Sequence, residues 1–307
     1  MSNKELGNAL SSNYLLVSHS INKWSGQRVD RKATDAVISG AHATGNAGKF
    51  VKNALAGADK ELKEASSAYD AIRTYIYSHT LPYSNATSGA LKGDRLLPTV
   101  RSMEFIAEVD KLVAIADARR DDFAKVYPQR VQQAISNLAG LASADDYPDV
   151  SAVTGAFGFN VIYEPVPSVE DFSRLSVPAE LADQFAESVR EKQEIVMHNA
   201  LSDLRKRLLL ELERVAKALA KRYETADSDG KKAPIGKNLI SNVKTLVGIL
   251  NDVTFAENPQ LQKLSQAINN HLCVHTVEQL KANPSLAGQV SKKATRIVEA
   301  VNNMEWY

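Results

Sequence analysis

Residues 51–76 read VKNALAGADKELKEASSAYDAIRTYI, and the apolar side chains of Val51, Leu55, Ala58, Leu62, Ala65, Tyr69, Ile72 and Ile76 follow alternating steps of four and three. An α-helix turns once in about 3.6 residues, so this spacing lines one face with a continuous apolar seam, as in a coiled coil or a helical hairpin. The seam predicts a helix from Val51 onward. His79, Thr80, Leu81 and Pro82 end it, because a residue that precedes proline is pushed out of the α region. The polar, glycine-bearing stretch from Tyr83 to Arg95 reads as a loop.

Helical spacing recurs downstream. After Pro98, Met103, Ile106, Val109, Leu112, Val113 and Ala116 mark one side of a second helix, with Pro128 kinking or restarting it before Val131. The longest helix is predicted to open at Pro178, with Glu180 placed to complement the helix dipole, and to run to about Tyr223. Its inner part repeats at Met197, Leu201, Leu204, Leu208, Leu212, Val215, Leu219 and Tyr223. At ~1.5 Å per residue, an unbroken helix of that length spans roughly 70 Å, which predicts an elongated shape. A polar, breaker-rich linker at 225–236 sets off a C-terminal region, with helices expected at 239–250, 260–275 and 285–302.

The best strand signal lies at 156–164, where Phe157, Phe159, Val161 and Tyr163 alternate with Gly158, Asn160, Ile162 and Glu164. A lone strand leaves its backbone groups unpaired, and the alternation of Leu15, Val17, His19 and Ile21 nominates residues 14–24 as its partner. The fold class is therefore mainly α with a small β-sheet (α+β), built as an elongated long-helix bundle or as coiled-coil-like hairpins. Three regions are expected: 1–98 with a strand and the seamed helix, 99–226 with long helices and the strand 156–164, and 235–307 as a C-terminal helical region. The seams can bury within one chain or against a second copy, and the spacing leaves both open.

At 307 residues the chain can bury a full core without disulfides. Lys plus Arg total 37 against 36 for Asp plus Glu, so no global charge excess draws it to nucleic acid or an anionic membrane, and any polyanion site must be a local patch. Cys273 is the single cysteine, which excludes an intramolecular disulfide and suits a reducing compartment. The first residues lack an apolar export core and no run reaches the ~18 apolar residues that span a bilayer, so the cytoplasm of a bacterial host is the expected location.

Motifs that would carry chemistry are incomplete. The Gly230 to Asn238 loop has the wrong glycine spacing and Asn238 where a magnesium-binding hydroxyl belongs; Gly45, Gly48 and Lys49 fail in the same way, with Phe50 at the hydroxyl position. His271 and His275 share a helix face only by pointing Cys273 away, so a packed thiol with two partly exposed histidines is the expected arrangement. Glu191, Glu194 and His198 miss the spacing of di-iron bundles and read as a solvated face. The reading assigns no catalytic residue, no metal and no cofactor, and favours binding over covalent chemistry.

The most suggestive polar cluster is Lys23, Trp24, Arg28, Arg31 and Lys32, with Asp30 among them. A ring beside local positive charge can stack on a base while neutralising phosphates. The same residues also fit a strand end and a helix start, with Trp24 anchoring the turn into the core. A second basic region on the long helix, Arg205, Lys206, Arg207, Arg214, Lys217, Lys221 and Arg222, is diluted by Glu211 and Glu213 and reads as a charged outer face.

WSGQRVDRKAT from Trp24, AGKFVKNAL, HTLPY at 79–83, RLLP at 95–98 and FGFNVIYEPVPSVEDF at 157–172 together resemble an uncharacterised family of bacteriophage and integrative-element proteins, a domain of unknown function. The resemblance covers the N-terminal half in order and the long helix more loosely. It implies an accessory protein of a mobile element, often encoded near a MoxR-like AAA+ ATPase. The expected function is thus protein-protein interaction, as an adaptor or scaffold for such an ATPase and as a possible homo-oligomer. The alternatives are a nucleic-acid-binding protein of phage replication or recombination, and a counter-defence protein that sequesters a host factor.

Overall fold

The computed structural model of the chain describes residues 10–43, 48–83, 93–174, 178–225, 233–253 and 258–306. It is mainly α with a small β component. Strands β1 (Tyr14–Asn22), β4 (Leu81–Pro82), β5 (Arg95–Pro98) and β6 (Gly158–Pro165) form one antiparallel sheet in the order β4-β5-β1-β6. The adjacency of β1 and β6 is the long-range pairing that their alternating sequences predict. Between β1 and β4 sits β5, which the sequence reading leaves unassigned after the 83–95 loop. Its four residues are all buried, so no polar alternation marks it, and it aligns Tyr14 with Pro98 and Val17 with Arg95.

A second sheet pairs β2 (Gln27–Val29) with β3 (Val51–Asn53), and α1 (Arg31–Gly40) lies between them in sequence. Here the structure corrects the seam. Val51 is in a strand, Ala54 to Gly57 form a turn with Gly57 at φ +74°, and the seamed helix α2 (Lys60–His79) starts only afterwards. A left-handed glycine cannot continue an α-helix, which is why the spacing misplaces the start. From Leu62 to Ile76 every seam residue is buried, as the period requires.

Helix α3 (Ser102–Leu138) runs through Pro128 without breaking. Its buried face is Phe105, Val109, Ala116, Phe123 and Tyr127, whereas Met103, assigned to the seam, is 86% exposed. The larger Phe105 starts the buried face, two residues and more than half a turn from Met103. The chain continues through α4 (Val150–Gly155), α5 (Ala179–Glu224), α6 (Leu239–Asp252), α7 (Pro259–Ile268), α8 (Val277–Ala282) and α9 (Pro284–Asn303), with a π-helical turn at Asn269–Cys273.

The chain divides into two units. The first gathers Met1–Ser18, Ile76–Phe105 and Ile162–Tyr307. Its core is the α5 seam, Leu204, Leu208, Leu212, Val215 and Leu219, buried along α9 and α6 of the same chain. At Gly288 of α9 a Cβ would stand 2.8 Å from the Tyr223 ring, so glycine sets how closely α9 approaches α5. The "outer face" arginines of α5 close other helices. Arg207 donates to Ser78 O (2.8 Å) and Thr80 O (3.0 Å) at the end of α2, Arg205 to Asn302 O (2.9 Å) at the end of α9, and Arg222 to Lys281 O (2.6 Å) at the end of α8. Each supplies a cationic donor to carbonyls that the helix leaves unpaired. Arg95 joins Arg207 at Thr80 O (2.8 Å) with its guanidinium 4.3 Å above the Tyr77 ring, and burial pulls its pKa down to about 10.

The second unit, His19–Tyr75 and Ile106–Val161, packs α2 against α3. Tyr69 donates to Asp117 at 2.6 Å, and Arg130 reaches Glu61 at 2.9 Å. Burial first, then Asp117, pushes the Tyr69 phenol up to about 12.

Candidate interaction site

In the second unit, residues 26–54 form a small module. Gly26 turns the chain into β2 at φ +65°, where a Cβ would stand 2.6 Å from Leu62 Cδ2, so no other residue fits without displacement. Arg28 lies opposite Lys52 and Val29 opposite Val51. The ribbon is extended at both ends by Ala54 N–H to Gly26 O (2.7 Å) and Asp30 N–H to Phe50 O (2.9 Å). Asp30 then caps α1, accepting the Ala33 N–H at 2.9 Å, and Thr34 Oγ1 accepts the Phe50 N–H at 2.9 Å. These contacts pin the first turn of α1 to the ribbon.

A polar lock holds the inner face. Lys52 is 9% exposed, and its Nζ reaches Asp30 Oδ2 (3.0 Å), Asp146 Oδ2 (3.3 Å) and the carbonyl of Leu141. Arg28 pairs with Asp146 Oδ1 at 3.3 Å and donates to the Asp146 carbonyl. The Ala33 N–H, then Lys52, hold the Asp30 carboxyl below its ordinary range; the Ser143 N–H, then Lys52, do the same for Asp146. Burial opposes the charge on Lys52, but its two carboxylate bonds win and raise it.

Side chains on a strand alternate, so with Arg28 and Lys52 facing inward, Val29 and Val51 face the other way. They are 44% and 50% exposed, and Phe50 and Val37 are 41% and 61% exposed. Val37 lies one turn beyond Thr34, on the side of α1 that meets Phe50. Helix α1 has no fully buried residue, and Ala33, Thr34 and Ile38 are half-buried. Arg31, Lys32 and Lys49 of the same module are exposed without an ion pair among the described residues, and Asp35 is its exposed acid.

The residues singled out from sequence fall into two groups. Lys23 pairs with Asp70 at 2.7 Å. The Trp24 ring stacks on Phe123 at 6.1 Å between centroids and meets the edge of Tyr127 at 5.7 Å. Arg28 joins the lock, and Arg31 and Lys32 open the first turn of α1. Val29 and Val37 carried no functional signal in the sequence, and Lys49 and Phe50 stood out only as an incomplete phosphate loop. The available signal was Asp30, an N-cap residue directly after Val29, which marks a strand ending at a helix start.

Among the described residues no group of three or more His, Cys, Asp or Glu side chains is arranged to hold a metal ion. Cys273 is buried, with its thiol pushed up to about 11 by burial. Glu191, Glu194 and His198 are exposed on α5. Of the two glycine loops, Gly45 and Gly230 lie outside the described residues. No helix among the described residues is long and apolar enough to cross a membrane. Comparison with protein-family models, with curated proteins and with solved structures gives no match.

Proposed function

We propose that this chain is an interaction protein, an adaptor or scaffold of a mobile element, and that the β2–α1–β3 module is its docking surface. The observation that carries the reading is a helix without one fully buried residue, fastened by its capping residue and a buried lysine to a ribbon, with Val37 exposed on the helix and Val29, Phe50 and Val51 exposed on or beside the ribbon. A surface helix normally buries one apolar stripe against its own domain. Here Val37 on the helix and Val29, Val51 and Phe50 on the ribbon segments remain exposed in one small module that also exposes Arg31, Lys32 and Lys49, which suits a protein partner. The partner implied by the family resemblance is a MoxR-like AAA+ ATPase. Gel filtration of the mixed proteins tests this: co-elution at micromolar concentration, abolished by Val37→Glu with Phe50→Glu, is expected, and separate elution of the wild-type pair would defeat it.

One observation favours the nucleic-acid alternative, the exposed Arg31 and Lys32 at the positive end of α1. That reading expects DNA binding that falls steeply with salt and weakens on Arg31→Ala with Lys32→Ala. Absence of binding at low salt would dismiss it.

A further inference from the structure

The β2–β3 ribbon leaves a backbone edge open. In an antiparallel pair, residues that exchange both main-chain bonds with their partner alternate with residues whose N–H and C=O point outward. The Asp30–Phe50 and Gly26–Ala54 bonds fix the phase, so Arg28 and Lys52 bond across the ribbon while Val29, Val51, Gln27 and Asn53 turn their backbone groups to the edges. On β2, the Gln27 N–H is taken by Ser25 Oγ at 3.2 Å. On β3, the Val51 N–H and C=O have no partner among the described residues.

We propose that the edge of β3, residues 49–53, takes an extended acidic and apolar segment of a protein partner as an added strand. This rests on the interaction reading above and names the chemistry of its occupant. Strand addition uses main-chain bonds for affinity and alternate side chains for selectivity. The edge supplies both: outward amide groups at Val51, the apolar Val29–Val51 pair for alternate residues, and the exposed Lys49 at its start for acidic ones. Short edges and lysines also serve to block unwanted pairing. That protection is incomplete where two valines stand side by side in solvent beside open backbone. Nucleic acid would satisfy the cations but has no row of amides to match the edge.

The test is fluorescence anisotropy of the full chain with a labelled peptide of alternating Val and Glu. Controls are a Val/Lys counterpart, the Val/Glu peptide N-methylated at alternate amides, and an oligothymidylate. The Val/Glu peptide is expected to bind, with the Val/Lys and N-methylated peptides at least about tenfold weaker. Val51→Pro removes an outward N–H that no ribbon bond uses, and it is expected to weaken the Val/Glu peptide about tenfold with the circular dichroism unchanged. Lys49→Glu keeps the strand whole and is expected to weaken it comparably. No binding of the Val/Glu peptide, equal binding of the N-methylated form, full binding by Lys49→Glu protein, or preference for the oligothymidylate would each overturn the proposal. An ATPase complex lost in Phe50→Glu protein but kept in Val51→Pro protein would overturn the strand addition alone. Absence of any complex would remove the interaction reading itself.

Discussion

At the scale of residues, the module depends on two positions. Gly26 is held at φ +65° against Leu62, so Gly26→Ala adds both backbone strain and a collision. A loss of about 2 kcal/mol in unfolding free energy is expected from denaturant titration. Lys52 ties Asp30 of the α1 cap to Asp146. Lys52→Met strands two carboxylates without their shared cation, and amides of 27–40 and 50–53 are expected to exchange hydrogen faster than in the wild type while those of α5 do not. Acid probes the same lock. Both carboxyls titrate below their unfolded values, so their stabilisation is fully present above about pH 4 and is lost as pH falls through the lower folded values. Faster exchange of the module is therefore expected on moving from neutral pH to below that range, after correction for the intrinsic rate. An exchange profile unchanged by both the substitution and the acid would show that the lock does not hold the module.

At the scale of elements, burial follows the seam and not mere apolarity. Leu212 lies at 0% exposure in the α5 seam while Leu210 is 57% exposed. Leu212→Ala is expected to cost about 3 kcal/mol and Leu210→Ala less than about 0.5, read from thermal or chemical unfolding. The long helices and the β1–β6 pairing were legible because each repeats one period over many residues. What was hidden lacks a period. Arg95–Pro98 is a strand buried throughout, so it shows no alternation. Val51 and Leu55 match a helical spacing by coincidence, because a turn at Gly57 buries Leu55 and Ala58 without a helix. The arginine caps were illegible for a different reason. Arg205, Arg207 and Arg222 find their carbonyls on segments far away in the chain, and no local pattern records that. For the candidate site, the cationic residues were visible in sequence as charge beside an aromatic ring. The ring proved to be packed on Phe123 and Tyr127, and the exposed valines became visible only once the ribbon register was fixed.

At the scale of the whole molecule, the two units divide the work of folding differently. The first buries the α5 seam from Leu204 to Leu219 against α9 and α6 of its own chain. The second carries a module whose helix has no fully buried residue and whose ribbon is held from beneath by charge. The proposed interaction runs through that module. Hydrogen exchange of the chain alone and mixed with the proposed partner, a MoxR-like AAA+ ATPase, decides it. Expected is slowed exchange at the amides of 27–40 and 49–53 on binding. Protection confined to α5 and α9, with the module unchanged, would contradict it.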